Sequence, residues 1–346
     1  MSPHRIIGWD LGGAHLKAAA LNPAGEVERV LQLPCPLWQG LGHLEAAVTQ
    51  VLADLGAADE HAITMTGEMV DLFPNRDVGV RRLVTAMQER LPGAKLRFYA
   101  GGAGFLDPAE ARVSGARIAS ANWMATATLV AARVGSALLV DIGSTTTDLV
   151  PVVAGRVASH GNNDATRLVA GELVYTGIVR TPIMALAERA PFDGQWVPLM
   201  AEVFATAADL YRLIGQLPVD ADLHPAADGG EKTVLASARR LARMLGRDVE
   251  SAPNHAWQRL AQWLVRRQTR RIEDACDRLL SLGEVPEGAP MVGAGIGRFL
   301  VEELALRRGR PWVDFGALMS AAGPAGSRVA DCAPAVAVAW LALQSH

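Results

Sequence analysis

The chain is 346 residues long, beyond the ~100 to 200 residues usual for one domain, which predicts two domains sharing an interface. Half of the residues are hydrophobic, 20% are charged and mean hydropathy is +0.17, so a large core is available and long disorder is excluded. The 33 basic and 36 acidic residues leave a net charge of -3, which speaks against nucleic acid or a membrane surface as a partner recognised through bulk charge.

The N-terminus runs straight into Ile6-Ile7-Gly8-Trp9-Asp10 without a signal-like apolar stretch, and the most apolar region, 124–142, is broken by Arg133 and Gly135 and reads as core. Cys35, Cys276 and Cys332 are too scattered for a CxxC motif, and the histidines show no zinc spacing. Reduced thiols in a cytoplasm are the expectation. Only three lysines, Lys17, Lys95 and Lys232, stand against thirty arginines, so a lysine here marks a place where a compact ammonium serves better than a guanidinium; Lys95, with no motif around it, reads as incidental.

In chain order, strands are predicted at 5–9, 15–21 and 27–33, joined by a glycine turn and by Asn22-Pro23-Ala24-Gly25. A helix follows at 43–55, a strand at 62–65, and helices at 78–91 and 121–134. The buried strand 137–141 leads into a second glycine turn, Gly143-Ser144-Thr145-Thr146, and strands 147–153 and 156–159. The order strand, acid, glycine turn, strand thus occurs twice, near residue 10 and near residue 141. Helices at 205–214, 232–245 and 257–280 come next; the run Arg266, Arg267, Arg270 and Arg271 reads as a solvated helix face. A glycine-rich strand-to-helix turn at 291–297, a helix at 299–307 and an apolar helix at 333–343 close the chain.

Three segments carry chemistry. Asp10-Leu11-Gly12-Gly13 returns through His15 to Lys17, with glycines that admit an anion to backbone N–H groups and a carboxylate suited to Mg²⁺ through water; an ordinary hairpin carries the same residues. Asp141-Ile142-Gly143-Ser144-Thr145-Thr146 repeats that logic with hydroxyls, again a common turn composition. Gly293-Ala294-Gly295-Ile296-Gly297 opens a helix whose N–H groups favour an anion, without dinucleotide spacing.

In this order the three segments resemble the phosphate and adenosine motifs of the superfamily of sugar kinases, actin and chaperone ATPases. The resemblance spans residues 6–305 and implies an α/β fold of two RNase H-like domains facing across a central cleft. The expected division is residues 1–120, then 121–330 with a helical insertion, and a C-terminal helix at about 331–346 packing back on the first domain. Thr64-Met65-Thr66-Gly67-Glu68-Met69-Val70-Asp71-Leu72-Phe73 resembles the hydantoinase and oxoprolinase branch. Gly171-Glu172-Leu173-Val174-Tyr175-Thr176-Gly177 with Arg180-Thr181-Pro182, and Asp228-Gly229-Gly230-Glu231-Lys232-Thr233, are similar to a subgroup accompanying tetrahydromethanopterin-linked one-carbon metabolism. That subgroup includes the methanofuran-biosynthesis synthase.

The subgroup implies a transferase that joins an aminomethylfuran diphosphate to the phenol of γ-glutamyltyramine and releases pyrophosphate. On these residues, Gly12, Gly13, Gly143, Ser144, Thr145, Thr146, Arg180, Gly293, Gly295 and Gly297 would hold phosphates. Asp10 and Asp141 would hold Mg²⁺, and Lys17 and Lys232 would stabilise the leaving group. Glu68 or Asp71 would take the phenol proton or orient the phenol and amine groups, Glu68 being equally placed to cap a helix. Tyr175 and Trp123 would wall an aromatic pocket or lie in the core. The expected partners are small molecules, a diphosphate and a phenolic amine, with neither nucleic acid nor membrane; the oligomeric state stays open, a homodimer among the options. ATP is not the favoured cofactor. The competing readings are an ATP-dependent small-molecule kinase or amide hydrolase of the same fold, and an actin-like assembly protein.

Overall fold

The computed structural model describes residues 4–321 and 323–345. The first sheet is built from β1 (Ile6–Leu11), β2 (His15–Leu21), β3 (Val27–Pro34), β4 (Glu60–Met65), β5 (Lys95–Tyr99) and β6 (Phe105–Leu106), in the order β3-β2-β1-β4-β5-β6. β1, β2 and β3 are antiparallel, while β4 and β5 run parallel to β1 because α1 (Gly42–Leu55) and α2 (Arg76–Arg90) carry the chain back each time. Both faces of β1 are buried, which accounts for its apolar run from Ile6 to Trp9, and Trp9 donates from Nε1 to His61 Nδ1 at 3.1 Å. Beyond β6, α3 (Pro108–Val113), α4 (Gly115–Ile118) and α5 (Asn122–Val134) lead to the second sheet.

That sheet contains β7 (Ala137–Ile142), β8 (Thr147–Val153), the short β9 (Arg156–Val157), then, past α6 (Asp164–Val169), β10 (Leu173–Val174). A segment of hairpin and helices follows: β11 (Arg189–Phe192), β12 (Gln195–Pro198), α7 (Ala207–Leu213), α8 (Val234–Arg243) and the long α9 (Asn254–Leu280). β13 (Met291–Ala294), α10 (Phe299–Arg307), β14 (Trp312–Asp314) and α11 (Ala333–Gln344) complete the chain. The order β10-β8-β7-β13-β14 repeats the first sheet's pattern, with β8 antiparallel and β13 parallel to β7. The fold is the two-lobed actin and sugar-kinase architecture.

The apolar stretch 124–142 is α5 and β7, both core, and among the described residues no helix is long and apolar enough to cross a membrane. α11 lies on β1, β2 and β4 and against α5, so its alanines and valines are buried all round. Gly8 makes that approach possible, because a Cβ there would stand 2.0 Å from the Ala335 carbonyl oxygen. One apolar cluster therefore joins Ile6, Ala19 and Leu21 of the first sheet to Leu139, Val150 and Val292 of the second. It fixes the ends of β1 and β7 opposite one another. Lys95 is not incidental: its ammonium pairs with the buried Glu60 at 2.7 Å, alongside Arg97.

Candidate active site

Both glycine turns open into one cavity of about 650 Å³ between the sheets. In the first, Gly12 N–H donates to the His15 carbonyl at 3.0 Å; in the second, Gly143 N–H donates to the Thr146 carbonyl at 2.9 Å. Directly across the strands, Asp10 faces Lys17 and Asp141 faces Asp148. The Gly177–Arg180 loop seats on the second turn: Ile178 N–H donates to the Gly143 carbonyl, and Val179 and Arg180 N–H both donate to the Ser144 carbonyl. Gly177 is required there, since a Cβ would lie 2.5 Å from the Ser144 backbone.

Asp10, Gly12, Gly13, Lys17, Asp71, Asp141, Gly143, Ser144, Thr145, Thr146 and Arg180 all line this cavity. Burial, opposed by Lys17 and reinforced by Asp148, raises Asp10 to about 6; burial likewise raises Asp141 to about 7, Lys17 lowering it and Asp148 and Asp10 raising it. Burial alone would depress the Lys17 ammonium, yet the carboxylates of Asp10 and Asp141 outweigh it and hold the group above its ordinary value. Asp10 Oδ1 is buried without a hydrogen-bond partner among the described residues. Excess carboxylate oxygen around one ammonium suits a hard divalent cation that keeps waters and substrate oxygens as further ligands. Among the described residues no three His, Cys, Asp or Glu side chains converge into a closed metal cage.

Aromatic groups line the same cavity. Trp123 is buried under the Arg167 guanidinium, which stands 3.9 Å from its ring centroid and donates to Asp148 at 2.7 Å. Arg180 stacks over Trp38 at 5.0 Å, Tyr175 is 63% exposed, and all three line the cavity. His224 Nε2 donates to the Ala14 carbonyl at 2.7 Å and so ties the inserted segment to the first turn. His15 packs against His224, and burial lowers it to about 3, with His224, Lys17 and Arg180 adding to the effect. It is neutral.

Some expected residues stand elsewhere. Lys232 is outside the cavity lining and donates to the Asp222 carbonyl at 2.7 Å, with the Asp222 carboxylate 3.5 Å away. Gly293, Gly295 and Gly297 act as packing glycines: a Cβ on Gly295 would meet the Ile142 carbonyl oxygen at 2.3 Å, and one on Gly297 the Ile142 side chain at 2.5 Å. Of that turn only Ile296 lines the cavity. Glu68 is buried behind Ser120, which does line it, and Gly79 lets α2 close over Glu68, since a Cβ there would stand 2.5 Å from the Glu68 carbonyl oxygen. The sequence reading passed over Trp38, Arg76, Ser120, Asp148, Asp164 and Arg167 as site residues. Only Asp148 carried a local signal, its place opposite Asp141 in the repeated hairpin.

The sequence profile of the hydantoinase/oxoprolinase family matches residues 59–335. A protein of Methanocaldococcus jannaschii named (4-{4-[2-(gamma-L-glutamylamino)ethyl]phenoxymethyl}furan-2-yl)methanamine synthase is 30% identical over 246 residues, covering 71% of this chain and 72% of its own. A Methanococcus vannielii protein of the same name is 38% identical over 80 residues, 23% of this chain and 36% of its own. Among solved structures, nucleotide-free acetone carboxylase superposes with a TM-score of 0.61 at 11% identity, over 97% of this chain and 70% of that one, a likeness of fold.

Proposed function

The chain belongs to the hydantoinase/oxoprolinase family, and from that premise we propose that it is an ether-forming synthase of methanofuran-type cofactor assembly. Its substrates are an aminomethylfuran diphosphate and the phenol of γ-glutamyltyramine or a close tyramine derivative, and its products are an aryl ether and pyrophosphate. The observation that carries this reading is a single cavity lined both by two glycine turns with Lys17 and by Trp38, Trp123 and Tyr175. A diphosphate and an aromatic acceptor are the two chemistries such walls recognise.

The turn hydroxyls and N–H groups hold the diphosphate, and the Lys17 ammonium stabilises the charge that grows on it as the furfuryl C–O bond breaks. The furan shares the positive charge left on the methylene carbon. Asp10 and Asp141 are the residues that would hold Mg²⁺, which supplies further positive charge to the departing diphosphate. Arg180, stacked on Trp38 in the cavity lining, is placed to pair with a phosphate or a glutamyl carboxylate. A carboxyl of the 68–71 segment orients the acceptor, with Asp71 on the wall and Glu68 behind Ser120. The phenol oxygen closes the new bond, and the bond electrons of the old one leave with pyrophosphate.

Incubating the protein with Mg²⁺, the furfuryl diphosphate and γ-glutamyltyramine, followed by mass spectrometry, tests this directly. Ether and pyrophosphate appear in equal amounts without ATP. Full activity in excess chelator would remove the Mg²⁺ role, and ATP turnover without the diphosphate would favour a kinase or amide hydrolase instead.

A further inference from the structure

Glu68, Ser120, Asp164 and Arg76 come together from four separate elements at the cavity wall. Ser120 Oγ lies 3.0 Å from Glu68 Oε1 and 3.1 Å from Asp164 Oδ2, and Arg76 donates to the same Asp164 oxygen at 2.6 Å. A serine hydroxyl carries one hydrogen, so it donates to one of these carboxyls and accepts from the other. Asp164, paired with Arg76, is the acceptor of both donors, which leaves Glu68 as the group that donates to Ser120. Glu68 Oε2 is buried with no hydrogen-bond partner among the described residues, a placement that costs much less for the C=O of an acid than for half of a carboxylate. Ser120 itself is held at φ 52°, a left-handed conformation that a serine adopts only under constraint.

We propose that Glu68 works in its acid form as a positioning residue, donating to Ser120 so that the serine hydroxyl and Arg76 together fix Asp164 as the carboxylate that meets the acceptor's O–H. Ser120, Asp164 and Arg76 line the cavity and Glu68 does not. Asp164 takes the phenol proton as the phenol oxygen bonds to the furfuryl carbon, and the electrons of the breaking C–O bond leave with the diphosphate. The charged groups facing Glu68 are Arg76 of α2 and Asp164 of α6; burial pushes the Glu68 carboxyl up to about 7, its own backbone N–H, the Ser120 hydroxyl and Arg76 drawing it down and Asp164 up. This assignment of the acceptor's base rests on the ether-forming reading above. The protonation of Glu68 does not.

The experiment therefore has two arms. In substrate-free protein at pH 6, the infrared difference between wild type and Glu68→Gln should show the carbonyl band of a protonated carboxyl; its absence would overturn the acid form of Glu68. In turnover, Glu68→Gln, whose amide still donates to Ser120, should lose far less kcat/KM at pH 6 than Asp164→Asn does, and should lack the decline above neutral pH expected of wild type. Asp164→Asn should fall by ~10² to 10⁴, the usual worth of a general base. Ser120→Gly, which relieves the strained φ and keeps the fold, should fall in kcat with it, as should Glu68→Ala. A Glu68→Gln loss as deep as that of Asp164→Asn would make Glu68 a proton carrier and overturn the positioning role. A silent Asp164→Asn would remove Asp164 from the reaction. If wild type makes no ether, the reading and the acceptor role fall together, while the infrared arm still decides the state of Glu68.

Discussion

The two glycine turns share a backbone and differ in charge. Across from Asp10 stands Lys17, and at the matching place across from Asp141 stands Asp148. The first turn thus carries its own counter-charge, whereas the second concentrates two carboxylates. Arg167 balances Asp148 from the side, buried between Trp123 and the Glu172 carbonyl, to which it donates at 2.9 Å. Asp10 and Asp141 are left to share one ammonium, and both are raised by burial and by neighbouring carboxylates. A repeated fold unit thus has one charge-balanced half and one half rich in carboxylate, an asymmetry that suits the diphosphate and divalent cation proposed above.

Removing the cation from the first turn should have the largest effect. Lys17→Ala is expected to lower kcat by ~10² to 10³ with the fold intact, the usual worth of one preorganised electrostatic contact to a leaving group. Lys17→Arg should recover only part of the loss, because a guanidinium meets the oxygens with different geometry. Steady-state rates for both variants decide this, and wild-type rates in both would empty the first turn of its role.

Removing the counter-charge from the second turn should show in stability. Arg167→Met leaves Asp148 without its buried partner and should cost about 3 kcal/mol in denaturant unfolding. An unchanged midpoint would mean that water compensates Asp148. The pH dependence follows next. Asp10 at about 6, Asp141 at about 7 and Glu68 at about 7 stand above the ordinary 3.8 of an aspartate and 4.5 of a glutamate. On these three groups the folded chain holds protons that the unfolded chain has released, so their contribution to metal-free stability is full below about 4 and is lost as pH rises through about 7. The thermal midpoint of Glu68→Gln relative to wild type should rise as pH climbs through about 7; a difference that stays constant over this window would contradict the burial of Glu68. Lys232→Ala should change least. Its exposed pair with Asp222 is worth at most about 1 kcal/mol, and kcat should stay at the wild-type value.

The hairpins around both turns, with their acid at the strand end, were legible because alternation and glycine are local signals. The helices at 42–55 and 299–307 were legible for the same reason. β5, β10, β14 and the β11–β12 hairpin were not, being two to five residues long with no period to detect. The glycines at 293–297 have the composition of an anion cradle, whereas the missing side chains of Gly295 and Gly297 serve the close approach to Ile142 and that of Gly293 the approach to Trp312. Lys232 stood out by its scarcity and by its place in the Asp228–Thr233 segment, neither of which says anything of direction. Ser120 and Asp164 had no signal at all: their relation to Glu68 exists only because α2, the turn before α5, and α6 converge after folding.

The central claim is that the cavity breaks the bond between the furfuryl carbon and the diphosphate oxygen. A furfuryl diphosphate carrying oxygen-18 at that bridging position, turned over with γ-glutamyltyramine and Mg²⁺ in the absence of ATP, tests it most directly. The account predicts that all of the label leaves with pyrophosphate and that the ether oxygen is the unlabelled oxygen of the phenol. Label retained on the furan product, or product that forms only when ATP is added, would contradict it.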